Sequence, residues 1–192
     1  RLIFGDVELA NQLNKRLWKE VFSKSAPEFI EKKLEERNLR HKKQGAERYL
    51  LEPNIKEGKG GLRDLQTLYW ISKYVYKISN KNDLIKYQIF TKKDLEIFFK
   101  AEDFLWTIRC ALHLFARRAN ETLSFDLQVP LAKSLGFQKE SGLLAVENFM
   151  QTYFLHAKNV GELTRILLSR MESMHVKNKP SIVSKIKTAI KD

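Results

Sequence analysis

Two long stretches of the chain carry apolar residues at alternating spacings of three and four. The first follows Thr91, and its seam positions are Phe98, Ala101, Leu105, Ile108, Leu112 and Phe115. The second begins near Ser141, with seam positions Val146, Met150, Tyr153, Ala157, Val160, Thr164, Leu167 and Met171. This period is typical of an α-helix with one buried face. Two such helices of matching length predict a mainly α fold, an antiparallel helical bundle.

Capping signals predict further helices upstream. Asp6 is suited to cap a helix over about residues 7–22. The run Ser25-Ala26-Pro27-Glu28 has the form of a capping box with proline in the first turn, and it predicts a second helix ending near Lys43. The segment 48–55, which contains Pro53, predicts one short strand.

Glycine is concentrated in one segment, which runs directly into the apolar start of another predicted helix. Three of the chain's eight glycines fall within residues 58–61, and three cations are interleaved with them. A glycine loop at a helix N-terminus presents unpaired N–H groups and the positive end of the helix dipole. We therefore take this segment as a candidate phosphate site, with Asp64 as an orienting residue and the following binding residues: Lys56, Lys59, Gly60, Gly61 and Arg63. The alternative is a tight turn in which glycine serves backbone geometry alone.

Charge is abundant but uneven along the chain. The formal net charge is +12 and the isoelectric point is near 9.7, yet residues 101–150 contain five basic and six acidic side chains. The excess in the first hundred residues and the tail would attract nucleotides, RNA or an acidic protein, or simply keep the surface solvated. The single Cys110 cannot form an internal disulfide, and its apolar neighbours predict a core thiol in a cytoplasmic protein. No apolar run is long enough to predict a membrane span.

The glycine segment also carries a resemblance. Leu51-Glu52-Pro53-Asn54-Ile55-Lys56, then Gly58 and the run over residues 60–67, is similar to the signature of the bifunctional uridylyltransferase/uridylyl-removing enzymes, which modify the nitrogen regulatory protein PII. Similar short motifs follow in the same order at residues 101–106, 111–113, 123–128, 146–147, 149–150 and 153–154. The resemblance covers about residues 1–173.

The resemblance implies a domain division and a set of ligands. Residues 1–50 would hold the end of a nucleotidyltransferase core and connecting helices, residues 51–175 a helical bundle domain, and residues 176–192 a basic linker toward a further C-terminal domain. The implied cofactors are Mg²⁺ and UTP, and the implied partner is PII. Lys56, Lys59 and Arg63 would face the triphosphate or the modified loop of PII.

The residues that such a transferase needs for metal binding are not evident in this sequence. Nucleotidyltransferases of this class hold Mg²⁺ with two carboxylates one residue apart, shortly after a Gly-Ser turn, and the chain contains no Gly-Ser dipeptide. The nearest pair, Asp94-Leu95-Glu96, has the position of first-turn helix acids. We expect no catalytic residue and no metal ligand here, and no activity from this segment alone. Other readings are a basic helical module that binds RNA or an acidic protein, a relative of the glutamine synthetase adenylyltransferases, and a passive spacer.

Overall fold

The computed structural model describes residues 3–45, 47–140 and 142–175. Within these ranges the chain is helical and contains no β-strand, which confirms the predicted mainly α helical bundle. The helices, in chain order, are α1 Val7–Arg16, α2 Ser23–Lys43, α3 Leu62–Tyr76, α4 Asp83–Lys86, α5 Lys92–Ala116, α6 Phe125–Ser134 and α7 Ala145–His175. A π-helical segment, Leu17–Phe22, joins α1 to α2. The predicted linker at residues 176–192 lies outside the described residues.

The core lies where α3, α5 and α7 meet. The α5 seam is confirmed over its first five positions, since Phe98, Ala101, Leu105, Ile108 and Leu112 are each 0% exposed. The sixth position, Phe115, is 44% exposed because it lies in the last turn of the helix. The α7 seam from Tyr153 to Met171 is buried, and α3 contributes three buried side chains: Leu65, Leu68 and Ile71.

The N-terminal helices depart from the prediction at Ser25. The predicted cap at Asp6 is confirmed, because its carboxylate accepts hydrogen bonds from the N–H groups of Glu8 and Leu9. The predicted capping box at Ser25 is wrong, since the helix continues through this point. Ser25 Oγ instead lies 2.7 Å from the carbonyl oxygen of Val21, the back-bonding that serine adopts inside helices.

The predicted strand at 48–55 is also wrong. Asn54 forms one isolated antiparallel bridge with Thr122, held by the Ile55 N–H donating to Glu121 O and the Leu123 N–H donating to Pro53 O. The ladder cannot extend because Pro53 has no N–H. On the other side of the bridge the chain turns at once, because the Asn54 side chain accepts hydrogen bonds from the N–H groups of Lys56 and Glu57.

The prediction of a core thiol at Cys110 is wrong. Its side chain is exposed. Ile108 and Leu112 are buried on the same helix, and a residue two positions from each lies on the opposite face. No helix in the described ranges has the length and apolar character that crossing a membrane requires.

The α5 seam yields a paired test. Leu105→Ala removes a wholly buried side chain, so we expect it to lower the free energy of unfolding by about 3 kcal/mol. Leu114→Ala makes the same change on the same helix where the side chain is 78% exposed, and we expect a cost of at most about 0.5 kcal/mol. Urea unfolding followed by circular dichroism measures both. Equal costs for the two variants would contradict the assigned core.

Candidate functional site

The glycine loop, residues 54–64, folds back on itself and uses its own backbone donors. Asn54 opens it by accepting from the N–H groups of Lys56 and Glu57 at 3.1 and 2.8 Å. Further N–H groups donate to loop oxygens or to Asp64 at 2.9 to 3.0 Å: those of Gly58, Gly60, Gly61, Leu62 and Arg63. The expectation of unpaired backbone donors is therefore wrong for these five groups. The first turn of α3 is satisfied by the loop that precedes it.

Close packing accounts for two of the glycines. Gly60 has φ +85°, and a β-carbon on it would lie 2.4 Å from the carbonyl oxygen of Ala157 in α7. A β-carbon on Gly61 would lie 2.7 Å from the carbonyl oxygen of Ile55. Neither distance is compatible with a side chain. Gly60 thus lets the loop lie directly against the backbone of α7, and Gly61 lets the loop close on itself, as the tight-turn alternative requires.

Asp64 joins this loop to α2. Its carboxylate accepts the Gly60 N–H at 2.9 Å, and Arg40 Nη2 donates to it at 2.5 Å. His41 Nε2 lies 3.0 Å from each carboxylate oxygen, and Arg37 Nε lies 3.6 Å from Oδ1. An ionised carboxylate can only accept, so His41 carries its proton on Nε2. One buried acid thus holds two helices and the loop together.

The electrostatics of Asp64 are set by opposing effects. Burial raises its pKa, but the hydrogen bond from His41 and the charges of Arg37, His41 and Arg40 outweigh burial and hold the pKa well below its ordinary value. Tyr153 of α7 is also influenced, since burial and then the Asp64 charge raise the pKa of its hydroxyl. Asp64 is therefore ionised near neutral pH.

A second carboxylate, Glu57, lies among three cations. Arg63 Nη2 lies 3.3 Å from its Oε1, Arg40 Nε lies 3.6 Å from its Oε2, and Lys56 Nζ lies 3.7 Å from Oε1. Arg63 also donates to Gln66 at 2.9 Å and its guanidinium lies 5.7 Å from the ring centre of Trp70. The structure thus brings two of the predicted cations, Lys56 and Arg63, to one partly buried cluster.

Lys56 is additionally shared with a neighbouring ion pair. Its Nζ lies 3.8 Å from Glu121 Oε1, and Arg109 binds the same carboxylate with two nitrogens at 2.8 to 3.0 Å. Burial raises the pKa of Glu121, but the Arg109 hydrogen bonds and charge, with Lys56 and His113, lower it overall. Lys59 is partly exposed at the turn between the glycines.

Three buried guanidinium nitrogens of the cluster are only loosely paired. Arg37 Nε, Arg40 Nε and Arg40 Nη1 form no hydrogen bond with the residues the structure describes, and each lies 3.6 Å from one carboxylate oxygen, of Asp64, Glu57 and Glu36 respectively. Buried guanidinium nitrogens are normally hydrogen-bonded, since leaving one unpaired costs about 1–3 kcal/mol. Together with Arg63 and Lys56, these groups could bind an anion with several oxygen atoms.

Arg37, Arg40 and His41 were missed by the sequence analysis, which predicted the helix without assigning these side chains a role. The signal was present in the seam of α2, whose buried positions are Ile30, Leu34, Arg37 and His41. These positions follow helical spacing, but the last two are basic. A buried basic residue needs a buried counter-charge, and this requirement points to an acid elsewhere in the chain.

No metal-binding arrangement is found in the described part of the chain, where no group of three or more His, Cys, Asp and Glu side chains is placed to hold an ion. The oxygens of Asp64 are already bound by Arg40, His41 and Gly60. The Asp94-Leu95-Glu96 pair lies at the start of α5, where Asp94 is in the first turn and forms a capping box with Thr91.

The family model and the curated relatives that match this chain point to the same enzyme family. The family model described as GlnD PII-uridylyltransferase matches residues 28–168. The bifunctional uridylyltransferase/uridylyl-removing enzyme of Cereibacter sphaeroides is 49% identical over 183 residues, which is 95% of this chain and 20% of that protein. The same enzyme of Ruegeria pomeroyi is 51% identical over 180 residues, 94% of this chain and 20% of that protein. The chain thus spans about a fifth of the length of these curated relatives. No solved structure matches.

The contact between the glycine loop and α7 can be tested with two glycines. Gly60→Ala introduces a side chain at positive φ and places it 2.4 Å from Ala157 O, whereas Gly136→Ala has φ +80° and nothing within 4 Å. We expect Gly136→Ala to cost about 1–2 kcal/mol from backbone conformation alone. Gly60→Ala should cost about 1–3 kcal/mol more from overpacking. Thermal unfolding of both variants measures the difference, and equal costs would exclude the close contact.

The Asp64 ion pairs predict a pH-dependent stability. Asp64→Asn leaves buried cations without a counter-charge, so we expect a loss of about 3–5 kcal/mol near neutral pH. Because the folded-state pKa is lowered, the stabilisation is fully present above the unfolded pKa of about 4 and is lost as the pH falls below it.

The measurement is urea unfolding of wild type and Asp64→Asn between pH 7 and pH 2.5. The difference between them should be constant above about pH 5 and shrink below about pH 4. Asp126→Asn is the control, because Asp126 also lies in the first turn of a helix but is exposed. A difference that persists unchanged to pH 2.5 would contradict the ionised state of Asp64.

Proposed function

Because the chain belongs to the GlnD PII-uridylyltransferase family, we propose that the protein takes part in the transfer of UMP from UTP to the nitrogen regulatory protein PII and in its removal. Within that reaction the helical segment would supply the cationic side of the nucleotide site. The whole reaction is proposed for a protein of which this chain corresponds to about a fifth of the curated relatives' length.

The observation that carries the proposal is the group of loosely paired donors beside the glycine loop. Arg40 has two buried nitrogens that form no hydrogen bond with the described residues and lie 3.6 Å from carboxylate oxygens of Glu57 and Glu36. Arg40 adjoins Arg63 and Lys56 through their shared contact with Glu57. A triphosphate has the oxygen atoms and the charge to satisfy such a set. No apolar ligand would do so.

Each predicted site residue has a role in this proposal. Lys56, Lys59 and Arg63 contact the phosphates and neutralise the charge that develops on the departing pyrophosphate. Gly60 and Gly61 keep the loop in the closed form in which Lys56 and Arg63 converge on Glu57. Asp64 orients the site indirectly, because it fixes Arg40 of α2 against the loop.

Transfer of UMP by enzymes of this kind implies Mg²⁺ with UTP. The described residues do not fit a magnesium site, since their carboxylates near the loop are engaged by cations and no metal-binding group is found among them. We therefore assign no step of the reaction to a metal held by this segment. The catalytic carboxylates and the hydrolytic site are proposed to lie outside residues 3–175.

The domain division and location follow as part of the same proposal. Residues 1–50 would hold the end of a nucleotidyltransferase core and connecting helices, and residues 51–175 would form the bundle domain that carries the loop. Residues 176–192 lead toward a further domain. The complete protein is proposed to act in the cytoplasm.

The family assignment does not favour two of the other interpretations, the adenylyltransferase relative and the RNA or acidic-protein module. A glutamine synthetase adenylyltransferase relative would share the glycine motif. The family model that matches residues 28–168, however, is described as a PII-uridylyltransferase. A free-standing module that binds RNA or an acidic protein gives no reason for this family match.

Arg63 tests the proposal. In the complete gene product, Arg63→Ala should lower kcat/KM for UMP transfer from UTP to PII by about tenfold to a hundredfold, the value of one or two charged hydrogen bonds to phosphate. Radiolabelled UTP with purified PII and Mg²⁺ gives the rate. Arg165→Ala is the matched control, because Arg165 is exposed on α7 and pairs with Glu162 of the same helix, and its rate should equal that of wild type. Unchanged transfer in Arg63→Ala would show that this segment is a passive spacer.

A further inference from the structure

An open groove of about 420 Å³ lies between α2 and α3, beside the glycine loop. Aromatic rings make up most of its lining, and two lysines stand at its edge. We call this the aromatic groove. Its lining residues are Trp18, Phe22, Phe29, Trp70 and Tyr74, with Lys33 and Lys73.

The rings of the groove are packed mostly against one another. Phe29 stacks on Tyr74 with 3.9 Å between ring centres, and Phe22 meets Tyr74 edge-on at 4.7 Å. Trp18 meets Phe22 in the same way, also at 4.7 Å. All four rings remain partly exposed. The groove is therefore a firm apolar surface that is open to solvent along one side.

Cations cover the faces of the two tryptophans. Lys33 Nζ lies 5.1 Å from the ring centre of Trp70, and the Arg63 guanidinium lies 5.7 Å from the same ring. At the far end Lys77 Nζ lies 5.2 Å from the ring centre of Trp18. The groove therefore adjoins Lys77 through Trp18, and through Trp70 it adjoins Arg63, the residue proposed to contact the phosphates.

The rim of the groove carries unbalanced positive charge. Lys73 lines the groove itself, while three more lysines line the adjoining depression around Trp18: Lys15, Lys19 and Lys77. None of these four lysines has an ion pair with any residue that the structure describes. In contrast, Lys33 is paired with Glu36 at 2.6 Å. An acidic partner would find free cations here together with an apolar surface.

We propose that the aromatic groove docks an acidic segment of the protein substrate PII, with an apolar or aromatic side chain seated on the rings and carboxylates paired with the rim lysines. This inference rests on the proposed function. A protein substrate must deliver its modified residue to the nucleotide, so its docking surface has to be continuous with the phosphate site. The contact of Arg63 with Trp70 provides that continuity.

The same geometry disfavours RNA as the occupant. Nucleobases bind such surfaces by stacking on open ring faces. Here Phe29 and Tyr74 cover each other, and cations stand over Trp18 and Trp70. Ring edges and methylene groups remain available, and these suit an apolar side chain.

The test reverses charge on the rim. In the complete gene product, Lys19→Glu/Lys73→Glu should raise KM for PII at least tenfold, while kcat and KM for UTP stay within twofold of wild type. The charge-matched control is Lys133→Glu/Lys139→Glu, because both lysines are exposed and neither lines the groove. Its three constants should stay within twofold of wild type. The neutral variant Lys19→Gln/Lys73→Gln should give an intermediate KM for PII, and equilibrium binding of labelled PII without UTP should follow the same order.

Each other result overturns the inference. Equal effects of the groove and control variants would show a general charge effect, and no effect would show that PII does not dock here. A change in kcat, in KM for UTP or in thermal stability, with KM for PII unchanged, would show that another part of the same protein covers the groove. A changed oligomeric state on gel filtration would assign it to a second copy. A wild-type protein that transfers no UMP to PII would overturn the proposed function, and the docking site with it, whereas active wild type with unaffected variants rejects docking alone.

Discussion

The arrangement of the site depends on one buried carboxylate, that of Asp64. It is 2% exposed and comes from the first turn of α3. Arg37, Arg40 and His41 all meet it from α2. Burying one carboxylate away from water is costly, and burying a cluster of cations costs more. The attraction between the carboxylate and the cations offsets both costs. Without Asp64 the basic end of α2 could not be buried against the loop, and Arg40 would not be held beside Arg63.

In the glycine loop the backbone and the side chains have different roles. The N–H groups of residues 58 and 60–63 are used in internal hydrogen bonds or donate to Asp64, so the backbone provides rigidity and no free donors at these five positions. The proposed capacity to bind an anion therefore rests with side chains that this rigid loop holds in place. Glycine matters here because Gly60 allows contact with the backbone of α7, a contact that any β-carbon would prevent.

Periodicity along the chain was sufficient for α5 and α7, because burial along a seam such as Phe98 to Leu112 depends only on spacing within one helix. It was insufficient where distant contacts decide. Ser25 had the composition of a cap, but Phe22 and Phe29, on either side of it, both pack against Tyr74 of α3, and the helix does not stop. The cations of the loop were identified from sequence. Their acidic and basic partners were not, since His41 meets Asp64 across 23 residues of chain and no local pattern records such a pairing.

Glu57 has a consequence for which ligands the cluster can accept. Its carboxylate lies among Lys56, Arg40 and Arg63 at 3.3 to 3.7 Å, in the place that an entering anion would take. Because it is attached to the same loop, it acts as a tethered competitor whose local concentration is about millimolar or higher. A singly charged anion would therefore gain little by displacing it. In the proposed site, a ligand with several adjacent charges would engage the loosely paired Arg40 donors at the same time, so the cluster would favour anions of high charge number.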